Sequence, residues 1–121
     1  MSKDHLRTSV REILADKNLT LSEAGEKLLT ALSQNPDAIE DLTASYRIAA
    51  TDTGAELAFR VTAGVTAPLS QNEEAEVTVT GTEQNLTRLL RGELAPLPAL
   101  LTGKIRLKGD KAKLLRFGEF L

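Results

Sequence analysis

Residues 92–109 read GELAPLPALLTGKIRLKG. Gly92 is a helix stop, because glycine enters the left-handed conformation that closes helices without a steric penalty. Pro96 and Pro98 confine the apolar residues around them to a turn or one short helix, since proline cannot donate a backbone hydrogen bond inside a longer one. Gly103 breaks the chain again. From Lys104 to Lys108, cations alternate with Ile105 and Leu107, the period of a strand with one wet and one apolar face. Asp110 then caps a last helix whose apolar residues are Leu114, Leu115 and Phe117.

Upstream of this stretch, Thr82 caps a helix that presents Leu86, Leu89 and Leu90, and Val77 and Val79 alternate with Thr78 and Thr80 in a strand. Val65 to Leu69 is a short strand, followed by a loop from Ser70 to Glu74. A β-hairpin precedes it. Tyr46, Ile48 and Ala50 form the inner face of its first strand, Asp52-Thr53-Gly54 the turn, and Leu57, Phe59 and Val61 the inner face of its second. Thr20-Leu21-Ser22-Glu23 is a capping box, and the helix it opens carries Ala24, Leu28, Ala31 and Leu32 on one side. Asn35-Pro36 ends that helix and begins a further turn with Ile39 and Leu42 facing inward. Residues 4–17 place Leu6, Val10, Ile13 and Leu14 at helical spacing. The expected fold is α+β, a sheet of about five mostly antiparallel strands covered on one face by helices. Residues 1–20 are expected to be a helical extension and residues 21–121 one folded domain.

Val77-Thr78-Val79, the pair Leu89-Leu90, the link from Gly92 to Pro96, the strand from Gly103 to Gly109 and the helix after Asp110 follow one another in a specific order. In that order and spacing the chain resembles the sterol carrier protein type-2 family in its bacterial, stand-alone form. The resemblance is good from about Ser45 to Leu121, weak over residues 21–44 and absent over residues 1–20. In one respect the chain departs from the pattern: Lys111-Ala112-Lys113 makes the start of the final helix more basic. The resemblance implies a protein that buries a lipid in an apolar tunnel and performs no bond chemistry. Its last helix is expected to border that tunnel. Tunnel-lining candidates are Phe59, Val61, Val77, Val79, Leu89, Leu90, Leu97, Leu100, Leu101, Ile105, Leu107, Leu115, Phe117, Phe120 and Leu121. Several of these sit in the Pro-broken link or at the C-terminal end, where apolar residues fray into water unless something holds them, so they are candidates for a lid.

Composition narrows the function further. The 121 residues contain no cysteine and no tryptophan, which excludes disulfides, thiol catalysis and cysteine-based metal sites. Tyr46, Phe59, Phe117 and Phe120 are the aromatic residues, so the interior must be largely aliphatic, which favours flexible chains over flat rings as ligands. No apolar run reaches the ~20 residues that span a bilayer, and the polar N-terminal residues do not form a signal peptide, so a cytoplasmic location is expected. The single histidine, His5, lies near the N-terminus, and a Ser-His-Asp set cannot be built around it. Nucleotide-loop and nucleophile-elbow motifs are missing. The expectation is no catalytic residue, no metal site and no cofactor.

Net charge is −2 but unevenly placed. Residues 1–81 hold seven Lys or Arg against thirteen Asp or Glu, and residues 82–121 hold eight against four. Lys104, Arg106, Lys108, Lys111, Lys113 and Arg116 lie close together. The acidic total and the lack of interleaved aromatics argue against a nucleic-acid partner. Lys111 and Lys113 fall in the first turn of a helix, where the macrodipole disfavours cations. Either Asp110 or Glu83 neutralises them, or an anionic ligand or membrane does. Lys104, Arg106 and Lys111 are the candidates for contact with a lipid head group or an anionic membrane surface. The sequence reading is therefore non-catalytic binding or transfer of a fatty acyl, sterol-like or isoprenoid chain. Two rivals remain: an accessory domain for a lipid- or quinone-modifying enzyme, and a homodimerising module with a filled cavity.

Overall fold

A computed structural model of the chain describes Thr8, Val10, Glu12, residues 18–70 and residues 72–119. Thr8, Val10 and Glu12 are helical and Val10 is buried; the other positions of the expected first helix, Leu6, Ile13 and Leu14, lie outside the described residues.

Helix α1 spans Leu21–Gln34 and begins with the expected capping box: the Thr20 hydroxyl accepts from the Glu23 backbone amide and the Glu23 carboxylate accepts from that of Thr20. Each polar group thereby satisfies an amide that has no partner within the helix. Leu21, Ala24, Gly25, Leu28, Ala31 and Leu32 form its buried side. A 3₁₀ turn, Pro36–Ile39, follows and buries Ile39.

Five strands follow in a single sheet: β1 Thr43–Ala50, β2 Glu56–Thr62, β3 Val65–Pro68, β4 Val77–Gly81 and β5 Ile105–Gly109. Their order across the sheet is β3-β2-β1-β4-β5. Three of the four pairings are antiparallel, and β1 with β4 is parallel. Ala63 and Gly64 connect β2 to β3, both at positive φ (47° and 88°). That is the backbone twist a two-residue hairpin needs.

Between β4 and β5 lie α2 (Glu83–Leu90) and α3 (Pro96–Leu101), and α4 (Lys111–Gly118) follows β5. Thr82 and Asp110 cap α2 and α4, accepting from the Asn85 and Lys113 amides.

Register places Tyr46 between Phe59 of β2 and Val77 of β4, and Ile48 between Leu57 and Val79. All six are buried, so this is the inner face. Helix α1 covers it over β2 and β3, α2 over β1 and β4, α3 beside β5, and α4 over β4. The opposite face carries Arg47, Arg60, Thr78, Arg106 and Lys108 and is wet. Among the described residues, no helix is long and apolar enough to cross a membrane.

Candidate functional site

The candidate site is the layer between the inner sheet face and the helices that follow β4. Phe59, Val61, Val77, Val79, Leu89, Leu90, Ile105 and Phe117 all belong to one continuous buried core there. Leu100 and Leu107 are half-buried against it, and Leu115 is half-buried on α4. Leu97 and Leu101 stand apart, 39% and 79% exposed. Phe120 and Leu121 lie outside the described residues.

Three aromatic rings meet in this layer. Tyr46 from β1, Phe59 from β2 and Phe117 from α4 lie with centroids 5.3, 4.8 and 5.7 Å apart, all tilted. Offset and tilted contacts of this kind are the favourable geometries for aromatic quadrupoles. The Tyr46 hydroxyl donates to the Lys113 carbonyl oxygen at 3.0 Å, which satisfies the one polar group the cluster buries. Burial, and secondarily the Glu76 carboxylate, push the Tyr46 hydroxyl well above the usual tyrosine range. Sequence reading placed Tyr46 only in the alternation of a strand. Its role as the polar end of the cluster was detectable from one signal: it is the only tyrosine, and it stands on an otherwise apolar inner face. Two buried residues beside the candidates, Leu94 and Ala99, were also missed. Each belongs to the Pro-broken link, where no period marks the inner face.

Glu76 organises the edge of the layer. Its amide donates to Ser45 Oγ at 2.8 Å, its carbonyl accepts from the Asp110 amide at 3.0 Å, and its carboxylate pairs with the Lys113 ammonium. The unfavourable position of Lys113 in the first turn of α4 is thus compensated by a tertiary partner, and that partner is neither Asp110 nor Glu83. Glu83 accepts from the Leu21 amide at 2.8 Å and joins α1 to α2. The Arg116 Nε is buried without a hydrogen-bond partner, with Glu119 Oε2 3.8 Å away.

Lys104, Arg106 and Lys111 are all exposed. Lys104 and Arg106 line a cleft of about 350 Å³ together with Thr51, Thr80, Thr82 and Asn85; Lys111 is not part of it. A second cleft, about 340 Å³, lies on the wet face between Arg47, Glu73, Thr78 and Lys108. Arg47 there is held by Glu56 and by the Ser70 and Glu73 carbonyls. Among the described residues, no three His, Asp or Glu side chains gather as a metal site requires.

The profile of the SCP-2 sterol transfer family matches residues 26–121. No curated protein matches the chain. Among solved structures, a double mutant of the sec-alkyl sulfatase PisA1 superposes with a TM-score of 0.68 and 25% identity, over 87% of this chain and 17% of the sulfatase; the enzyme comes from Pseudomonas sp.. This chain therefore spans about one sixth of the sulfatase's length. A UbiJ-SCP2 ubiquinone synthesis protein gives 0.61 at 19% identity, over 78% of this chain and 83% of that one. Palmitated SCP2L2 from Aedes aegypti gives 0.61 at 16% identity, over 84% and 93%. At those two identities the likeness is one of fold. With its helix-covered five-stranded sheet and a profile match over most of its length, the chain belongs to the SCP-2 sterol transfer family.

Proposed function

We propose that this protein is a non-catalytic lipid binder or carrier, and that the apolar part of its ligand lies between the inner sheet face and helices α3 and α4. The observation that carries this reading is the apolar layer itself, which is continuous from Phe59 and Val77 on the sheet to Phe117 on α4, with Leu100 and Leu107 half-buried against it. Binding would work by exclusion from water, each buried methylene contributing ~0.8 kcal/mol. A long chain then needs few polar contacts. A fatty acyl or isoprenoid chain suits an interior whose walls are mostly Leu, Val and Ile. Phe117 is buried in the layer, so α4 must shift, or Phe117 must rotate, to admit a chain. We also assign Phe120 and Leu121 to the ligand contacts, residues 21–121 to the binding domain and residues 1–20 to an extension of it.

The likeness to a segment of an alkyl sulfatase and to a ubiquinone synthesis protein favours one second reading, in which the domain presents a lipid to an enzyme that modifies it. Both readings need a bound lipid. Native mass spectrometry of the purified protein, followed by denaturing extraction, tests that shared requirement. A stoichiometric adduct, or one formed on adding palmitate, an acyl-CoA or an isoprenoid quinone, supports lipid binding. A mass that stays bare with all three would replace it with the filled-core, dimerising alternative.

A further inference from the structure

We propose that the free edge of β5 receives an extended segment of a partner protein, one that alternates acidic with apolar residues and adds to the sheet as a further strand. β5 is one end of the sheet and β3 the other. In an antiparallel ladder, alternate residues direct their backbone groups at the neighbouring strand, and the residues between them direct theirs away. The Asp110 amide donates to the Glu76 carbonyl at 3.0 Å, in the same register that pairs Lys108 with Thr78 and Arg106 with Thr80. Arg106 and Lys108 therefore face β4, while Ile105, Leu107 and Gly109 turn their amides and carbonyls outward. Ile105 is buried where α3 lies beside the strand. From Arg106 to Gly109 the edge is accessible: Leu107 is half-buried and the other three are exposed. Among the described residues, the backbones of Leu107 and Gly109 find no further partner. The β3 edge is closed to the same use. There the Leu69 amide donates to the Ala58 carbonyl, so by the same alternation Thr66 and Pro68 face outward. Pro68 has no amide hydrogen to give, and the Thr66 hydroxyl is bonded to that of Ser33 on α1 at 2.6 Å.

Proline blunts one edge of the sheet, and charge decides what can join the other. Arg106 and Lys108 stand on the wet face of β5, and neither makes an ion pair with a described residue. Glu73, which borders the wet-face cleft with Lys108, is held by Arg60 at 3.1 Å. A second copy pairing along β5 would bring Arg106 and Lys108 against their own counterparts, which is unfavourable. A segment with Asp or Glu opposite those cations gains where a copy loses. On the inner face, Leu107 and Leu100 are half-buried against the core, so the intervening positions of the segment meet apolar surface. Strand addition of this kind draws affinity from main-chain bonds and specificity from alternate side chains.

The inference does not depend on a bound lipid, and it can fail separately from the carrier reading. The test uses the full chain and short fluorescent peptides. One peptide alternates glutamate with valine, a second has lysine in place of glutamate, and a third is the first one N-methylated on alternate residues along the pairing edge. In fluorescence polarisation the glutamate peptide should bind about tenfold more tightly than the lysine peptide, as two opposite-charge cross-strand pairs allow. N-methylation removes the amide donors and keeps the charge, so it should abolish binding. Arg106→Glu with Lys108→Glu should reverse the preference and leave the melting temperature unchanged, since both side chains are exposed. In the parent chain with the glutamate peptide bound, the Leu107 and Gly109 amides should exchange with deuterium about tenfold more slowly or less. No binding of the glutamate peptide, equal binding of the lysine peptide, or binding that survives N-methylation overturns the proposal. So does a double variant that keeps the parent's preference, or exchange at Leu107 and Gly109 that the peptide does not slow. A parent dimer with those two amides already protected also overturns it, since a second copy would then hold the edge. A lipid adduct in native mass spectra without peptide binding removes the strand addition alone, and peptide binding without any adduct removes the carrier reading alone.

Discussion

The hydroxyl of Tyr46, in the middle strand of the sheet, donates to the carbonyl oxygen of Lys113, in the first turn of the last helix, at 3.0 Å. Together with the Glu76–Lys113 ion pair at the edge of the layer, this bond ties the sheet to α4, the helix that carries Phe117.

Because Tyr46 is the only tyrosine and there is no tryptophan, its ionisation can be read directly from ultraviolet absorbance. Burial raises its folded pKa above the unfolded value of about 10. The unfolded state therefore loses its proton first, and stability is fully present below about pH 10 and falls above it, by up to about 1.4 kcal/mol per pH unit. The folded protein should show no tyrosinate at pH 10, and tyrosinate should appear together with unfolding at higher pH. Ionisation near pH 10 with the circular dichroism unchanged would contradict the buried geometry.

Phe117→Ala removes one of three mutually packed rings and should cost about 3–4 kcal/mol in urea denaturation. Under the lipid-binding reading the same substitution clears ligand space. Palmitate should then raise the melting temperature of the variant more than that of the parent. An equal or smaller rise would place the ligand elsewhere.

Gly109, where β5 ends, has φ +111°, and a Cβ there would stand 2.1 Å from the Glu76 carbonyl oxygen and 3.0 Å from its carbon. Since the obstacle is backbone and cannot rotate away, Gly109→Ala should destabilise by more than about 2 kcal/mol. Gly54 is also at positive φ but meets nothing within 4 Å, and Gly54→Ala should cost about 1 kcal/mol. Thermal melts of the two variants compare them directly.

Glu83 accepts from the Leu21 amide across 62 residues, satisfying one of the orphan donors at the start of α1 from another helix. Glu83→Ala should cost about 1–2 kcal/mol, as expected for a charge-assisted bond to a backbone amide that is then left open. Thr20→Ala, which removes the hydroxyl of the local capping box, should cost about 1 kcal/mol. Chemical denaturation of both variants would test whether the long-range bond outweighs the local one.

What the sequence by itself determined is what chemistry within a few residues can specify. Thr20 with Glu23, Thr82 and Asp110 each start a helix because a side-chain oxygen reaches the amide three residues on. Strands announce themselves through alternation, as in Tyr46-Arg47-Ile48 and Val77-Thr78-Val79, because one face of each is buried. The burial of Phe59, Val61, Val77 and Val79 was legible for the same reason. Tertiary structure decided the rest. Strand β4 lies parallel to β1 although two strands intervene in the chain, and the period of a strand carries no mark of its neighbour. Lys113 found Glu76 where the sequence offered Asp110 or Glu83. Leu97 and Leu101 face outward while Ala99 between them is buried; in a helix without a polar residue no pattern tells the faces apart. Local hydrogen bonds and periods are fixed by neighbours along the chain, whereas partners and exposure depend on which surfaces meet once the sheet has formed.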